Sequence, residues 1–307
     1  MKTYRLKLKP LAPWVTPWHA DTLFAALAWH VAQRTNTDSL RRMLDAFIEG
    51  EPPFVLSDAL PEGWFPCPLS VSLQKLEGSN LKARVPSWVD ENQFRSLIAQ
   101  PAPLAPQERW PSPLASSSSL HASIDRALGT TGGEGNLFEI ETWNLQSTTR
   151  GPTEHLAVYL RTRSWLGCVV DLFRSLAAEG FGKRRTVGRG AFELAGEPEP
   201  AEWLDRLDGA NAFVSLSHFV PAPGDPTDGR WSLLVKYPKF SPRVPAGSPF
   251  KGRLLMLRPG SVFRVAGDPL SFYGRVLRHL SPEFPEAVHY GLAFPVPMRW
   301  PEEAPHE

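Results

Sequence analysis

A chain of 307 residues with 42% apolar and 21% charged residues can bury a sizeable core, which excludes the disordered class. Its formal charge of +1 is the balance of 33 basic and 32 acidic residues, so only their distribution can speak for or against a nucleic-acid partner. Cys67 and Cys168 lack metal-ligand spacing, and with no apolar leader or membrane-length run the expected setting is soluble, reducing and cytoplasmic.

Thirty-two prolines, twice the ordinary share of roughly 5%, predict short elements on stiff connections. Residues 2–10 alternate, with Tyr4, Leu6 and Leu8 on one side and Arg5, Lys7 and Lys9 on the other. That is a half-buried strand whose basic outer face reads most simply as solvated. After a Pro/Trp turn the spacing predicts a helix over 21–34 that buries Leu23, Phe24, Leu27 and Val31. A second helix over 39–48, stopped by Gly50, leads to a short strand at 54–56. Residues 98–137 hold five prolines, then four serines, then Gly132, Gly133 and Gly135, and show little periodicity; such a stretch is functional or disordered.

Strands are predicted at 137–145 and 155–161. An amphipathic helix over 165–178 follows, with Ser164 as its N-cap and Gly180 as its stop; Leu166, Val169, Val170, Phe173 and Leu176 form its buried stripe. A strand returns at 192–194. Beyond an acidic linker at 197–200 the chain reads as strands at 213–218, 231–237, 254–257, 262–265 and 288–294, with a helix admissible over 269–280. The order is that of an α+β fold of ferredoxin-like (RRM-type) character, followed by a strand-rich module.

The segment 180–190, Gly-Phe-Gly-Lys-Arg-Arg-Thr-Val-Gly-Arg-Gly, carries four glycines, four cations and no acid. Glycines let a backbone approach an anion, and arginines add bidentate phosphate contacts. A phosphate-binding Walker loop or a dinucleotide fingerprint would follow a strand and open a helix; this loop follows a helix and leads to a strand. A solvated basic turn competes, but the density of cations between glycines favours a sugar-phosphate backbone.

Further motifs lie in order along the chain: the run from His19 to Trp29, the turn Ser57–Asp58 leading to Pro61, and Phe-Pro-Cys-Pro at 65–68. Ser123, Ile124, Asp125 and Arg126 come next, with Gly-Thr-Thr at 129–131, the basic loop, and finally the turn from Gly260 to Phe263. In this order they resemble the RAMP superfamily of CRISPR-associated proteins, and within it the fourth-subunit family of type III-A (Csm) effectors. Ala25 departs from the glycine usual there.

The resemblance implies two fused ferredoxin-like modules, 1–197 and 198–307. The first would carry an inserted hairpin region at about 69–137 and the glycine-rich loop at 180–190. It also implies a non-catalytic subunit, without cofactor or metal, that binds the 5′ handle of crRNA. Its partners would be the large polymerase/cyclase subunit and the backbone RAMP subunit of the Csm complex. The candidate RNA contacts are Gly182, Lys183, Arg184, Arg185, Thr186, Gly188, Arg189 and Gly190 of the loop, with His19 and with Ile124, Asp125 and Arg126 of the hairpin. That hairpin reads equally as a wedge between nucleotides or as plain surface. Two other functions stay open: a metal-independent endonuclease using His19 or His30 as acid or base, and a scaffold whose loop grips an acidic protein surface.

Overall fold

The alternation at the start forms strand β1 (Lys2–Pro10), which buries Thr3, Leu6 and Leu8. Its outward cations are not simply solvated: Arg5 and Lys7 both pair with Glu62 and Glu199. The computed structural model describes residues 1–74, 84–124, 129–131, 137–149, 151–240 and 250–300. Helices α1 (Ala20–Arg34) and α2 (Thr37–Ile48) follow at the predicted places, and Asn36 caps α2 by accepting the Ser39 N–H at 2.8 Å. Ala25 lies on the exposed side of α1, so its methyl group meets no close packing.

Short strands β2 (Phe54–Leu56), β3 (Leu60–Pro61), β4 (Trp64–Pro66) and β5 (Trp88–Asp90) lead to helix α3 (Glu91–Ala99). Sequence periodicity missed α3, although Asp90 and Gln93 form a capping box at its start. The segment that lacked periodicity holds β6 (Leu114–Ala122), which pairs over its whole length with β7 (Leu137–Leu145), the strand expected there, in a long hairpin. Its serines are exposed, and a strand wet on both faces leaves no apolar alternation to read.

Then come β8 (Leu156–Thr162), α4 (Leu166–Glu179), β9 (Phe192–Leu194) and β10 (Glu199–Pro200). Thr162 rather than Ser164 accepts the Trp165 N–H, at 2.9 Å, because Thr162 ends the strand facing the helix start. The resulting antiparallel sheet has the order β10–β1–β8–β2, with β9 also on β1 and β3 also on β8.

The later part comprises β11 (Ala212–Ser215), β12 (Gly229–Arg230), β13 (Leu233–Lys236), β14 (Leu254–Leu257) and β15 (Val262–Arg264). It ends with β16 (Tyr273–Gly274), β17 (Leu292–Ala293) and β18 (Pro295–Met298). Strands β12–β15–β11–β18 form one sheet, while β13–β14 and β16–β17 are two-stranded. The helix admitted over 269–280 is replaced by β16. Gly274 has φ +83°, outside helical space, and Tyr273 pairs with Ala293. Among the described residues beyond 198 there is no α-helix, so the helices of a second ferredoxin-like module are missing there.

One apolar core runs from Leu6 and Leu8 through Phe173 to Val296, Met298 and Trp300, so both parts of the chain share it. Arg161 of β8 is a polar tie inside it. Its guanidinium donates to Asp205 at 2.9 Å, to Thr3 Oγ1 at 3.0 Å, and to the carbonyls of Leu204, Ser271 and Pro295. Among the described residues no helix is long and apolar enough to cross a membrane.

Candidate nucleic-acid interface

Helix α4 ends at Gly180, and the chain closes on itself ten residues later. Phe181 N–H donates to the Gly190 carbonyl at 2.9 Å, and Gly190 N–H donates to that of Pro13 at 3.0 Å. Gly190 has φ +69°, and a Cβ there would be driven into the Phe181 carbonyl; only glycine closes this neck. Gly182, at φ +89°, leaves room for Thr16, whose Cβ would lie 2.6 Å from an added methyl. Thr16 Oγ1 accepts the Lys183 N–H at 2.9 Å, and Phe181 packs on Trp18 with ring centres 5.0 Å apart.

Between these anchors, Arg185–Val187 form one turn of 3-10 helix. It is entered through Arg184, which holds a left-handed backbone at φ 61°. The Arg184 carbonyl accepts the N–H groups of Val187 and Arg189 at 3.1 Å, and Gly188 N–H donates to Arg185 at 3.0 Å. The amides of Arg184, Arg185 and Thr186 donate to nothing among the described residues. A left-handed residue followed by right-handed ones turns successive N–H groups into a concavity suited to an anion.

Lys183, Arg184, Thr186 and Gly188 are exposed; Arg185 and Arg189 are half-buried. Arg185 lies 3.5 Å from Glu179, so part of its charge is spent inside the protein. The Arg184 guanidinium lies over the Phe138 ring, 5.6 Å from its centre, which brings the loop against the β6–β7 hairpin. That hairpin is fastened at its base by paired backbone bonds between Trp14 and Trp143, at 3.1 and 2.8 Å. The Pro/Trp turn after β1 therefore holds both the loop and the hairpin. Near the hairpin's far end Ile124 is 62% exposed, while Asp125 and Arg126 lie outside the described residues.

His19 is turned another way. It is half-buried, its ring stacks on His218 with centres 3.9 Å apart, and its Nδ1 is 3.4 Å from Lys236 Nζ. Asp58, from the Ser57–Asp58 turn, accepts the Ala20 N–H at 2.8 Å, the His218 N–H at 3.2 Å and the His218 ring at 2.5 Å. It caps α1 from outside the helix, a task the His19 side chain does not perform. Beside it Asp21 pairs with Lys236 at 2.7 Å and with His289 at 3.4 Å.

Burial would raise the Asp58 carboxyl, but the charge and hydrogen bond of His218 outweigh it and hold it at about 2. Burial pushes His19 and His289 down to about 4, so both are neutral near pH 7. His19, Asp58 and His218 present donor atoms within 4.8 Å of one another. Two imidazoles on one tetrahedral ion would hold their ring centres about 5 Å apart, wider than the 3.9 Å of this stack. The cluster is a buried charge network joining the two parts of the chain. His30, the other histidine considered for chemistry, is buried within α1. His218, Lys236 and His289 were invisible to local motif reading because each comes from a different distant strand or turn. The nearest clue was the Ser57–Asp58 turn itself, whose Asp58 the fold buries.

No family model matches the sequence, and no curated protein matches it. Among solved structures, a chain of a Csm1–Csm4 cassette in complex with pppApA is 20% identical with a TM-score of 0.63, covering 98% of this chain and 100% of that one. A chain of the same cassette with cA4 gives 19% and 0.61, over 98% and 99%. A chain of a Csm3–Csm4 subcomplex of the type III-A CRISPR-Cas interference complex gives 14% and 0.58, over 97% and 100%. At these identities the likeness is one of fold, an α+β RAMP-like fold along nearly the whole chain.

Proposed function

We propose that this chain is the handle-binding RAMP subunit of a type III-A effector. In this reading it grips the repeat-derived 5′ end of crRNA and joins the large subunit to the backbone filament without catalysing a reaction. The observation that carries the reading is the loop at 180–190. Its neck is closed by glycine, three consecutive amides have no partner among the described residues, and exposed Lys183 and Arg184 flank them. Such a loop neutralises and orients phosphates without reading bases. Arg184 resting on Phe138 puts the hairpin beside the grip, where Ile124 and its neighbours could meet an unstacked nucleotide. The order β9–β1–β8–β2 in the first sheet fits a ferredoxin-like module over 1–197; β10, in the stretch expected as a linker, adds to the same sheet, and 198–307 is a second module built on the same core.

Expressed with the neighbouring subunits and a CRISPR array, the assembly should copurify with crRNA whose 5′ end resists ribonuclease. An intact assembly free of RNA would instead favour the scaffold reading. The endonuclease alternative has one observation in its favour, the pairing of His19 with His218 and Lys236. A histidine held neutral beside a lysine could act as a base. Against it, both carboxylates of the cluster are buried and already committed to protein partners. His19→Ala should leave precursor crRNA processing in cells unchanged; accumulation of uncut precursor with a folded variant would promote the alternative.

A further inference from the structure

Between Asp228 and Asp268 the sequence carries eight lysines and arginines and no acidic residue, in a chain whose net charge is only +1. The β13–β14 hairpin lies within this stretch. From 231 to 237 exposure alternates strictly, so Trp231, Leu233, Val235 and Tyr237 all face outward while the residues between them turn in. Val235, 52% exposed, stands directly opposite Leu255, 60% exposed, so the two extend the same apolar face across both strands. The inner face is well satisfied: Met256 and Leu254 are buried, and Lys236 reaches Asp21 at 2.7 Å. The outer face is thus an apolar surface on an anchored hairpin, not the side of an unpacked one. Among the described residues no third strand pairs with β13. Exposed Arg230, Lys239, Arg253 and Arg258 lie just beyond the ends of the two strands.

Soluble proteins seldom leave an apolar, aromatic-flanked sheet face open unless it binds something. An aliphatic centre with cations only at the rim offers little to stacked bases, which single-strand RNA platforms supply with aromatics interleaved with charge. A second copy of this chain would bring two cationic rims together. An apolar centre, flanking aromatics and an arginine rim are the anatomy of a protein–protein contact. We propose that the outer face of the β13–β14 hairpin docks another protein subunit, one presenting an apolar patch rimmed by carboxylates. The inference rests on the subunit role proposed above and assigns it a surface separate from the RNA loop.

The test uses the full chain, coexpressed pairwise with the large subunit or with the backbone subunit and measured by light scattering after size exclusion. V235E/L255E should weaken one of the two pairs by at least about a hundredfold. R253E should weaken the same pair by about tenfold at low salt and little at high salt. Handle-RNA binding should persist in both variants. Should V235E/L255E fail to fold, V235T/L255T, compatible with a strand, is read in the same way. Both pairs surviving in a folded variant would overturn the inference. So would a wild-type homodimer broken by the variant, or loss of RNA binding with protein binding intact. A wild-type chain that binds neither subunit would overturn the subunit reading and this inference with it, a result visible before any variant is made.

Discussion

Asp58 receives two backbone N–H groups and an imidazole at once, and Asp21 beside it is closed over by Lys236 and His289. Removing the Asp58 carboxylate leaves these buried donors without an acceptor, each at about 1–3 kcal/mol; Asp58→Ala should lose at least about 3 kcal/mol in urea denaturation. The same network sets a pH dependence. His19 and His289 sit at about 4 when folded, against about 6.5 in the unfolded chain. Between those values the unfolded chain binds more protons, so stability is complete above about pH 6.5 and falls as pH drops towards 4. Asp58, held at about 2, adds a further loss as pH falls below its unfolded value near 4. Urea midpoints should be flat above neutrality and decline below it, and His289→Gln should flatten the upper part of that decline. A midpoint that rises on acidification from pH 6.5 to 4.5 would contradict this account.

At the scale of the element, the loop makes two separable predictions. Changing Lys183, Arg184, Arg185 and Arg189 together to alanine should lower the log–log salt slope of handle-RNA binding by about 2 to 3, at about 0.7 per phosphate neutralised. The lower figure allows for the hold of Glu179 on Arg185. Gly190→Val should abolish binding with no change of charge, because the neck cannot close; circular dichroism separates this from global unfolding. Arg184 keeps a left-handed backbone that disfavours any residue with a Cβ by about 1–2 kcal/mol. Arg184→Gly should therefore raise thermal stability while weakening RNA binding, and lower stability would show that the Phe138 contact outweighs the strain.

The loop was legible in the sequence because glycine, charge and the helix stop sit within eleven contiguous residues. Helices α1, α2 and α4 were legible because each shows one apolar stripe. The second strand of hairpin β6–β7, at 137–145, was legible too; the first was not, since its serines are wet on both faces and carry no period. Nor was the role of Pro13, Thr16 and Trp18: a turn that holds other segments is described by its partners, and those lie over a hundred residues away.

For the whole molecule, a core that passes from Leu6 to Met298 predicts one cooperative transition, with tryptophan fluorescence and far-ultraviolet dichroism coinciding. Two resolved transitions would show that the modules at 1–197 and 198–307 are independent. Much of the strand content of the second part was readable from short apolar runs, of which only 231–237 alternates, but the helix admitted over 269–280 gave way to the pairing of Tyr273 with Ala293, a long-range preference no local window contains. Arg161→Met should destabilise the chain less than Arg161→Ala, since both lose the pair with Asp205, which keeps its bonds from Thr3, but only alanine leaves a cavity.

The same arginine has a consequence for how the protein is made. Its acceptors come from residues 3, 204, 205, 271 and 295, and translation delivers them in that order. Until β18 leaves the ribosome, β8 carries a cation whose shell is incomplete and a sheet whose neighbouring core has not arrived. Folding of this sheet therefore waits until residue 295 has been made. Nascent chains stalled before residue 295 should remain open to protease at β8, and chains stalled with that residue well clear of the exit tunnel should be protected.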